Sequence, residues 1–506
     1  YFGFGEYSMD SRIPMLRNSG NDKYLNNENW QILRTKVGLL KGWNISGDFA
    51  FKSFGLESSS ASLTLYEPLI DGSLLARGET IPSQIEKIQG NDSYWSANIF
   101  TSYDFAFSGK HNFNILAGSQ LESDKSNRLN STRTNLMVDN VISLRTANGE
   151  ITSSETLGQW ATLGYFGRFS YNFNEKYLLE ANARYDGTSR FQMGKRWGFF
   201  PSFSAGWNID REEFWKRVEP YISTLKIRGS WGRLGNQQVT PYLDLPLIPL
   251  QTGRLDWIFS HGQTRPIGYT TSPNMVSRNL TWETATTLNL GLNASFFGRK
   301  MILDFDWFDR TTTNMIGPAE PVPGVLGTTV PQSNNATLQT RGWEATVGWS
   351  QEFPSKDMSF LLKVNIQDAR SKVLSYLNPS GIVTDWYTGK NVGEICGVTV
   401  NKLYQSQEEL DAYLEKTDLS SIHRSWNVGD VKYEDINGDG KVDRGANSLD
   451  DHGDLKIIGN NTPRFQFGLN GGFNLKKLDF SFLVRGTAKR HFAVRENASQ
   501  TMFWGV

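Results

Sequence analysis

Cysteine is almost missing from this chain: Cys396 is the only one in 506 residues. An intrachain disulfide is thereby excluded, and Cys396 has no nearby Cys or His at metal-ligand spacing. Long apolar runs are missing too. No stretch approaches the roughly 18 apolar residues that a transmembrane helix needs. Charge of one sign is absent, since 52 Lys and Arg balance 52 Asp and Glu. A nucleic-acid binder needs a basic face for phosphates, and this balance argues against one. Histidine is scarce: His111, His261, His423, His452 and His491 are scattered, none in a zinc-type pair or triad setting. Asp and Glu are too abundant for any pair to point to glycosidase chemistry. The chain is read as not an enzyme. The start, Tyr1-Phe2-Gly3-Phe4, has no basic segment and no apolar signal core, so processing or truncation is expected to have removed the beginning.

What is there in quantity is aromatic: 31 Phe, 18 Tyr and 16 Trp make 13% of the chain. Membrane barrels use such rings at both interfaces, where an apolar body with a polar edge fits best. The second signal is period-2 alternation, which sends successive side chains to opposite faces of a strand. Tyr165, Phe169, Tyr171 and Phe173 point one way, and Arg168, Ser170, Asn172 and Asn174 the other. Tyr177, Leu179, Ala181, Ala183 and Tyr185 oppose Glu180, Asn182, Arg184 and Asp186. The pattern recurs at 288–296, 343–350, 360–367, 465–474 and 479–485. These stretches often reach the roughly 9–11 residues of a tilted membrane-spanning strand, beyond the roughly 5–6 of a soluble one.

Short and long connections alternate. Short turns are expected at 41–44, 108–111, 174–176, 298–299, 354–356 and 476–477. Long segments are expected at about 53–92, 123–159, 188–196, 236–280, 315–340 and 373–463. Outer-membrane barrels have short periplasmic turns and long external loops. One inner connection, 210–224, reads as a short surface helix. The fold class is all-β: an antiparallel transmembrane β-barrel with about 14 strands present, near 34–41, 44–53, 93–107, 111–122, 160–173, 177–187, 197–209, 225–235, 281–297, 300–314, 341–352, 357–372, 464–475 and 477–486. A soluble sandwich, propeller or repeat array also alternates, but with shorter strands, and no fixed repeat period is visible.

Several stretches resemble the SusC/RagA family of Bacteroidota importers. They include YLLEANARYDGTSRF at 177–191, RWGFFPSFSAGWNI at 196–209, LKIRGSWGRLGNQ at 225–237, NLTWETATTLNLGLNASFF at 279–297 and GDVKYEDINGDGKVD at 429–443, in the family's order. The resemblance implies a 22-stranded TonB-dependent barrel in the bacterial outer membrane. A plug domain, signal peptide, TonB-contacting segment and final strands are not seen in this chain, so it is expected to be a central fragment. The implied partners are a SusD-like surface lipoprotein, the TonB complex, outer-membrane lipid and a glycan or peptide substrate, with pairing as a dimer of barrel plus lid. A scaffold subunit of a secretion or assembly complex, and a passive porin, would show the same barrel pattern.

The sharpest local motif is Asp435, Asn437, Asp439, Gly440, Lys441 and Asp443, which matches the first nine positions of a calcium loop. Its position 12 is Ala446 rather than Glu, and Asp430, Glu434 or Asp450 are candidates to complete the shell. A structural Ca2+ site and a metal-free Asx/Gly turn both fit this spacing. Arg168, Glu180, Arg184, Asp186, Arg190, Arg341 and Glu344 fall at lumen-facing or rim positions, to bind the plug, guide substrate or simply wet the interior. Trp257, Trp386, Tyr387 and Tyr404 fall in external loops, to stack on sugar rings, hold a lid or pack the loop.

Overall fold

The computed structural model describes residues 19–492, apart from 69–72, 77–80, 139–140, 240–244, 246–249, 253–267, 271–274, 278, 319–322, 324 and 326–330. Fourteen strands form one antiparallel sheet in strict chain order, an arc of barrel wall. They are β1 (Asp22–Leu40), β2 (Trp43–Ser62), β3 (Gln84–Phe107), β4 (His111–Thr134), β5 (Ile151–Phe173), β6 (Tyr177–Thr188) and β7 (Trp197–Asn208). The second half comprises β8 (Ile222–Asn236), β9 (Glu283–Phe296), β10 (Met301–Gly317), β11 (Ser333–Phe353), β12 (Met358–Ser375), β13 (Arg464–Leu475) and β14 (Leu478–Lys489).

The short turns lie where expected, and local chemistry explains them. The β1–β2 turn uses Gly42 at φ +81, where a Cβ would stand 2.1 Å from the Asp104 carbonyl oxygen. Only glycine fits there. At 174–176 the turn takes Asn174 and Glu175 at positive φ, the geometry of a tight hairpin.

Register turns the alternation into two faces. Ile227, Leu292, Phe305, Ala345, Ile366 and Phe467 are direct cross-strand neighbours along β8 to β13. One residue along, Arg228, Gly291, Asp306, Glu344, Gln367 and Gln466 form the neighbouring row on the other face. The first face is apolar and exposed, with Leu290 50%, Phe203 55% and Phe199 58% open. Exposure of that kind suits lipid, and the polar face lines the interior. Among the described residues no helix is long and apolar enough to cross a membrane.

Several strands run further than the alternation indicates. β2 extends to Ser62 rather than about 53, β3 begins at Gln84 rather than 93, and β4 and β5 meet out to Arg133 and Ile151. At 24 residues, β3 and β4 are about 80 Å long, far more than a tilted crossing of the membrane requires. The external segments at 53–92, 123–159 and 315–340 are therefore partly strand. Their extensions escape the alternation because both faces meet water beyond the lipid, while the hydrogen-bond ladder continues unchanged.

Two connections also depart from expectation. The 210–224 segment forms two 3-10 turns, Ile209–Arg211 and Glu213–Arg217, not an α-helix. The segment after β12 folds into a small external unit with the helix α1 (Gln407–Leu414) and the strand pairs Glu394–Gly397 with Lys456–Asn460 and Val400–Leu403 with Val431–Tyr433. Tyr404, Leu410, Leu419 and Val442 form its buried centre.

Leu290→Arg places a charge within the lipid-facing band of β9. In the full-length protein it should lower unfolding stability by about 2–4 kcal/mol if the site lies at mid-membrane depth. Urea unfolding followed by heat-modifiable gel mobility reads this, and an unchanged midpoint would contradict the assignment of faces.

Candidate functional site

The inner wall is built from charged and polar side chains that satisfy one another across and along strands. Arg228 on β8 reaches over Gly291 on β9 to place Nη2 2.6 Å from Asp306 Oδ2 on β10. A Cβ on Gly291 would lie 2.5 Å from the Arg228 guanidinium carbon, so a side chain there would make the arginine shift. Arg184 donates to both Asp186 oxygens at 2.9 and 3.1 Å and to Gln120 Oε1 at 3.1 Å. Its guanidinium also covers the Phe166 ring at 5.3 Å. Glu180 accepts from Ser170 Oγ at 3.0 Å and Asn182 Nδ2 at 2.9 Å, and Arg168 donates to Asn114 at 3.0 Å. A hollow of about 570 Å3 opens on this face, lined by Asp104, Asn114, Glu180, Lys226 and Arg228 among others.

The structure brings Arg168, Glu180, Arg184, Asp186 and Glu344 to this face. Arg341 lies on the opposite, outer face, where it pairs with Asp309 at 2.8 Å just beyond the apolar band. That is a rim position and not a lumen one. The even and odd positions of β11 separate Glu344 from Arg341.

Arg190 sits above β6, held by a buried knot of Phe191, Phe200, Val239, Leu280 and Trp282. It donates to the Val239 carbonyl at 2.7 Å, and Trp282 Nε1 donates to the Arg196 carbonyl at 2.8 Å. Its guanidinium covers the Trp160 ring at 5.0 Å. Trp160 belongs to a row that includes Tyr94 and Trp30, with ring centroids 6.3 and 6.4 Å apart. Period alone sends these residues to the polar face but cannot bring them level; register does that.

Three of the loop aromatics make contacts within their own external unit. Trp386 and Tyr387 flank the buried Lys390, whose Nζ donates to the carbonyls of Val383 at 3.0 Å and Asp385 at 2.6 Å. Burial, reinforced by Glu394, pushes the Tyr387 hydroxyl up to about 12. Tyr404 is 1% exposed and cannot stack on a sugar; burial likewise pushes its hydroxyl up to about 12. Trp257 lies outside the described residues.

In the 435–443 loop, side-chain oxygens accept backbone N–H groups. Asp435 takes Gly438 and Gly440, Asn437 takes Asp439, Asp439 takes Lys441, and Asp443 takes Gly445, at 2.6–3.0 Å. The carboxylate that closes the loop is Asp454, fully buried, which accepts from Ile436 at 2.6 Å and Asp443 at 2.9 Å. Asp430, Glu434 and Asp450 do not enter these bonds. Among the described residues no three His, Cys, Asp or Glu side chains converge as metal ligands. These hydrogen bonds are Asx turns.

An open-faced wall of long antiparallel strands, apolar outside and charge-paired inside, with long external connections, defines an outer-membrane β-barrel. Residues 2–501 match the family described as TonB dependent receptor-like, beta-barrel, and the chain belongs to that family. A TonB-dependent receptor of Formosa agariphila is 28% identical over 412 residues, 78% of this chain and 39% of that protein. The TonB-dependent receptor SusC of Bacteroides thetaiotaomicron is 28% identical over 337 residues, 65% of this chain and 31% of that protein. The fold matches the RagAB peptide importer in its open-open state with a TM-score of 0.73 at 17% identity, over 96% of this chain and 49% of that one. The chain is SusC- and RagA-like, its place is the outer membrane, and it spans 31% to 42% of the length of these curated relatives.

Two expectations follow. Asp454→Ala strips three backbone N–H groups of their acceptor and should cost about 1–3 kcal/mol of loop stability. Faster amide exchange confined to 435–454 in the full-length protein would show it. If millimolar Ca2+ is retained stoichiometrically and slows that exchange, the metal-free turn is wrong. Glu409 on α1 bonds Lys402 first, then the Gln405 N–H and Lys432, and these hold its carboxyl at about 2, below its ordinary 4.5. A depressed carboxyl lends stability above its unfolded pKa and loses it as pH falls through the folded one. Protection of amides 400–433 should fall as pH drops from about 4.5 towards about 2, and Glu409→Gln should abolish that dependence.

Proposed function

We propose that this barrel is the channel of a TonB-dependent importer of the SusC–SusD type, which takes up an oligosaccharide or a peptide without changing it covalently. The observation that carries the reading is the two-faced wall. Its interior is polar and self-paired, so a solute crosses without meeting lipid, and its external connections are long enough to form a mouth. Similarity to SusC and the fold of the RagAB importer support the same reading.

In this reading a SusD-like surface lipoprotein caps the external mouth, and the barrel–lid pair assembles as a dimer. Energised TonB pulls on a plug from the periplasm, because a lumen this wide conducts passively unless something fills it. Arg168, Glu180, Arg184, Asp186 and Glu344 are the wall groups available to that plug. No catalytic role is assigned to any of them.

The test is isolation of the full-length protein from native outer membranes in mild detergent, with identification of every companion chain by mass spectrometry. A single SusD-like lipoprotein as the main companion is expected. A stable set of secretion or assembly subunits would instead make the barrel a scaffold and overturn the import mechanism.

A further inference from the structure

The outward face of the wall carries charge where its apolar band ends, between β10 and β13. Asp309, Arg341 and Arg370 are direct cross-strand neighbours on β10, β11 and β12. Thr311, Gln339 and Lys372 form the next row on the same face. The alternation that sends Phe305, Ala345 and Ile366 to lipid sends these residues outward as well. Two arginines set directly opposite one another repel. Only Arg341 is compensated: Asp309 pairs with it at 2.8 Å and also accepts from Gln339 at 3.0 and 3.1 Å. Asp368, two residues below Arg370, is taken up by Arg464 from β13. Among the described residues, no side-chain hydrogen bond or ion pair engages Arg370 or Lys372. Both are exposed, and Arg341 keeps 62% of its side chain open.

The same strands fix the height of the patch. Arg341 and Arg370 stand farther from the hairpin end at Phe353 and Met358 than the roughly 9–11 residues of a tilted crossing. They therefore lie on the external side, at the edge of the lipid. One outward position below, Trp307 and Trp343 are cross-strand neighbours. Indole rings settle at this level of a membrane, where apolar chains give way to headgroups. Beneath them the face continues as apolar wall through Phe305, Ala345, Ile366, Val347 and Val364. The cations sit on inner strands of the sheet, since β11 and β12 each have a neighbour on both sides.

We propose that Arg341, Arg370 and Lys372 bind the phosphate of a lipid in the outer leaflet, with its acyl chains lying on the apolar wall below. The planar fork of arginine matches phosphate oxygens, and an anion between Arg341 and Arg370 removes the repulsion that the register builds in. Directly opposed side chains start about 5 Å apart, and Lys372 lies about 7 Å along its strand from Arg370. Three long side chains so placed can converge on one phosphate. A soluble anion would need the charges alone. Here the charges adjoin two indoles and an apolar wall, and that continuity selects a phosphate attached to acyl chains. The site rests on the assignment of faces and is independent of what the lumen carries.

The test titrates full-length protein, stripped of lipid in detergent, with three probes: monophosphoryl lipid A, the same lipid after dephosphorylation, and inorganic phosphate. Native mass spectrometry reads retention and Kd. The phosphorylated lipid is expected to be retained, and the dephosphorylated one to bind at least about tenfold more weakly. Arg370→Ala should weaken the phosphorylated lipid about tenfold and leave the dephosphorylated one unchanged. Arg370→Lys, which keeps the charge, should keep most of the affinity. Arg233→Gln, an outward arginine on β8 that rests on Trp231 outside the patch, should change nothing. Equal retention of the two lipids, an unaltered Kd in Arg370→Ala, or inorganic phosphate binding as tightly as the lipid overturns the site. The comparison of the two lipids uses the unaltered protein, so it decides even where a variant fails to fold.

Discussion

Inside a lipid bilayer a backbone N–H or C=O has no water to fall back on, and each one left unpaired costs several kcal/mol. The whole structure depends on that constraint. It forces a continuous antiparallel ladder, and here β1 through β14 pair in chain order without a crossover. Once the backbone is committed to the ladder, side chains have only two directions to go. One meets lipid and must be apolar, and the other meets an aqueous lumen and must be polar.

The polar direction brings its own difficulty. Charges on a wall partly shielded from water need partners, and this wall supplies them from its own face. Arg228 reaches Asp306 two strands away and Arg184 pairs with Asp186 on its own strand, and such pairs leave a highly polar surface. Pairing of this kind holds the side chains in fixed places. Gly291 lies under the Arg228 guanidinium, and a methyl group there would make that side chain shift.

Beyond the membrane the constraint relaxes, and other forces shape the chain. The ladders of β2 to β5 run on into water with both faces polar. The connection after β12 instead gathers Tyr404, Leu410, Leu419 and Val442 into a small core and closes its turns with the buried carboxylate of Asp454. Lys390, capped by three carbonyls between Trp386 and Tyr387, fixes the base of this unit. An external region held in this way can present a stable surface to a partner.

Much of this was legible in the residues, because lipid imposes a local rule. Leu288 to Phe296 or Phe360 to Ile366 alternate wherever a strand crosses the membrane, and that pattern, with its short turns, sufficed for strand number, order and facing. The rule falls silent where lipid ends. The outer halves of β3 and β4 were therefore read as loop, and the Asp435–Asp443 spacing could not reveal that Asp454, distant in sequence, completes it. Above all, period assigns a residue to a face but not to a level. Trp30, Lys52, Tyr94, Asp124 and Trp160 lie on five strands spread over much of the first third of the chain. Only cross-strand register, a long-range property of the assembled sheet, sets them side by side.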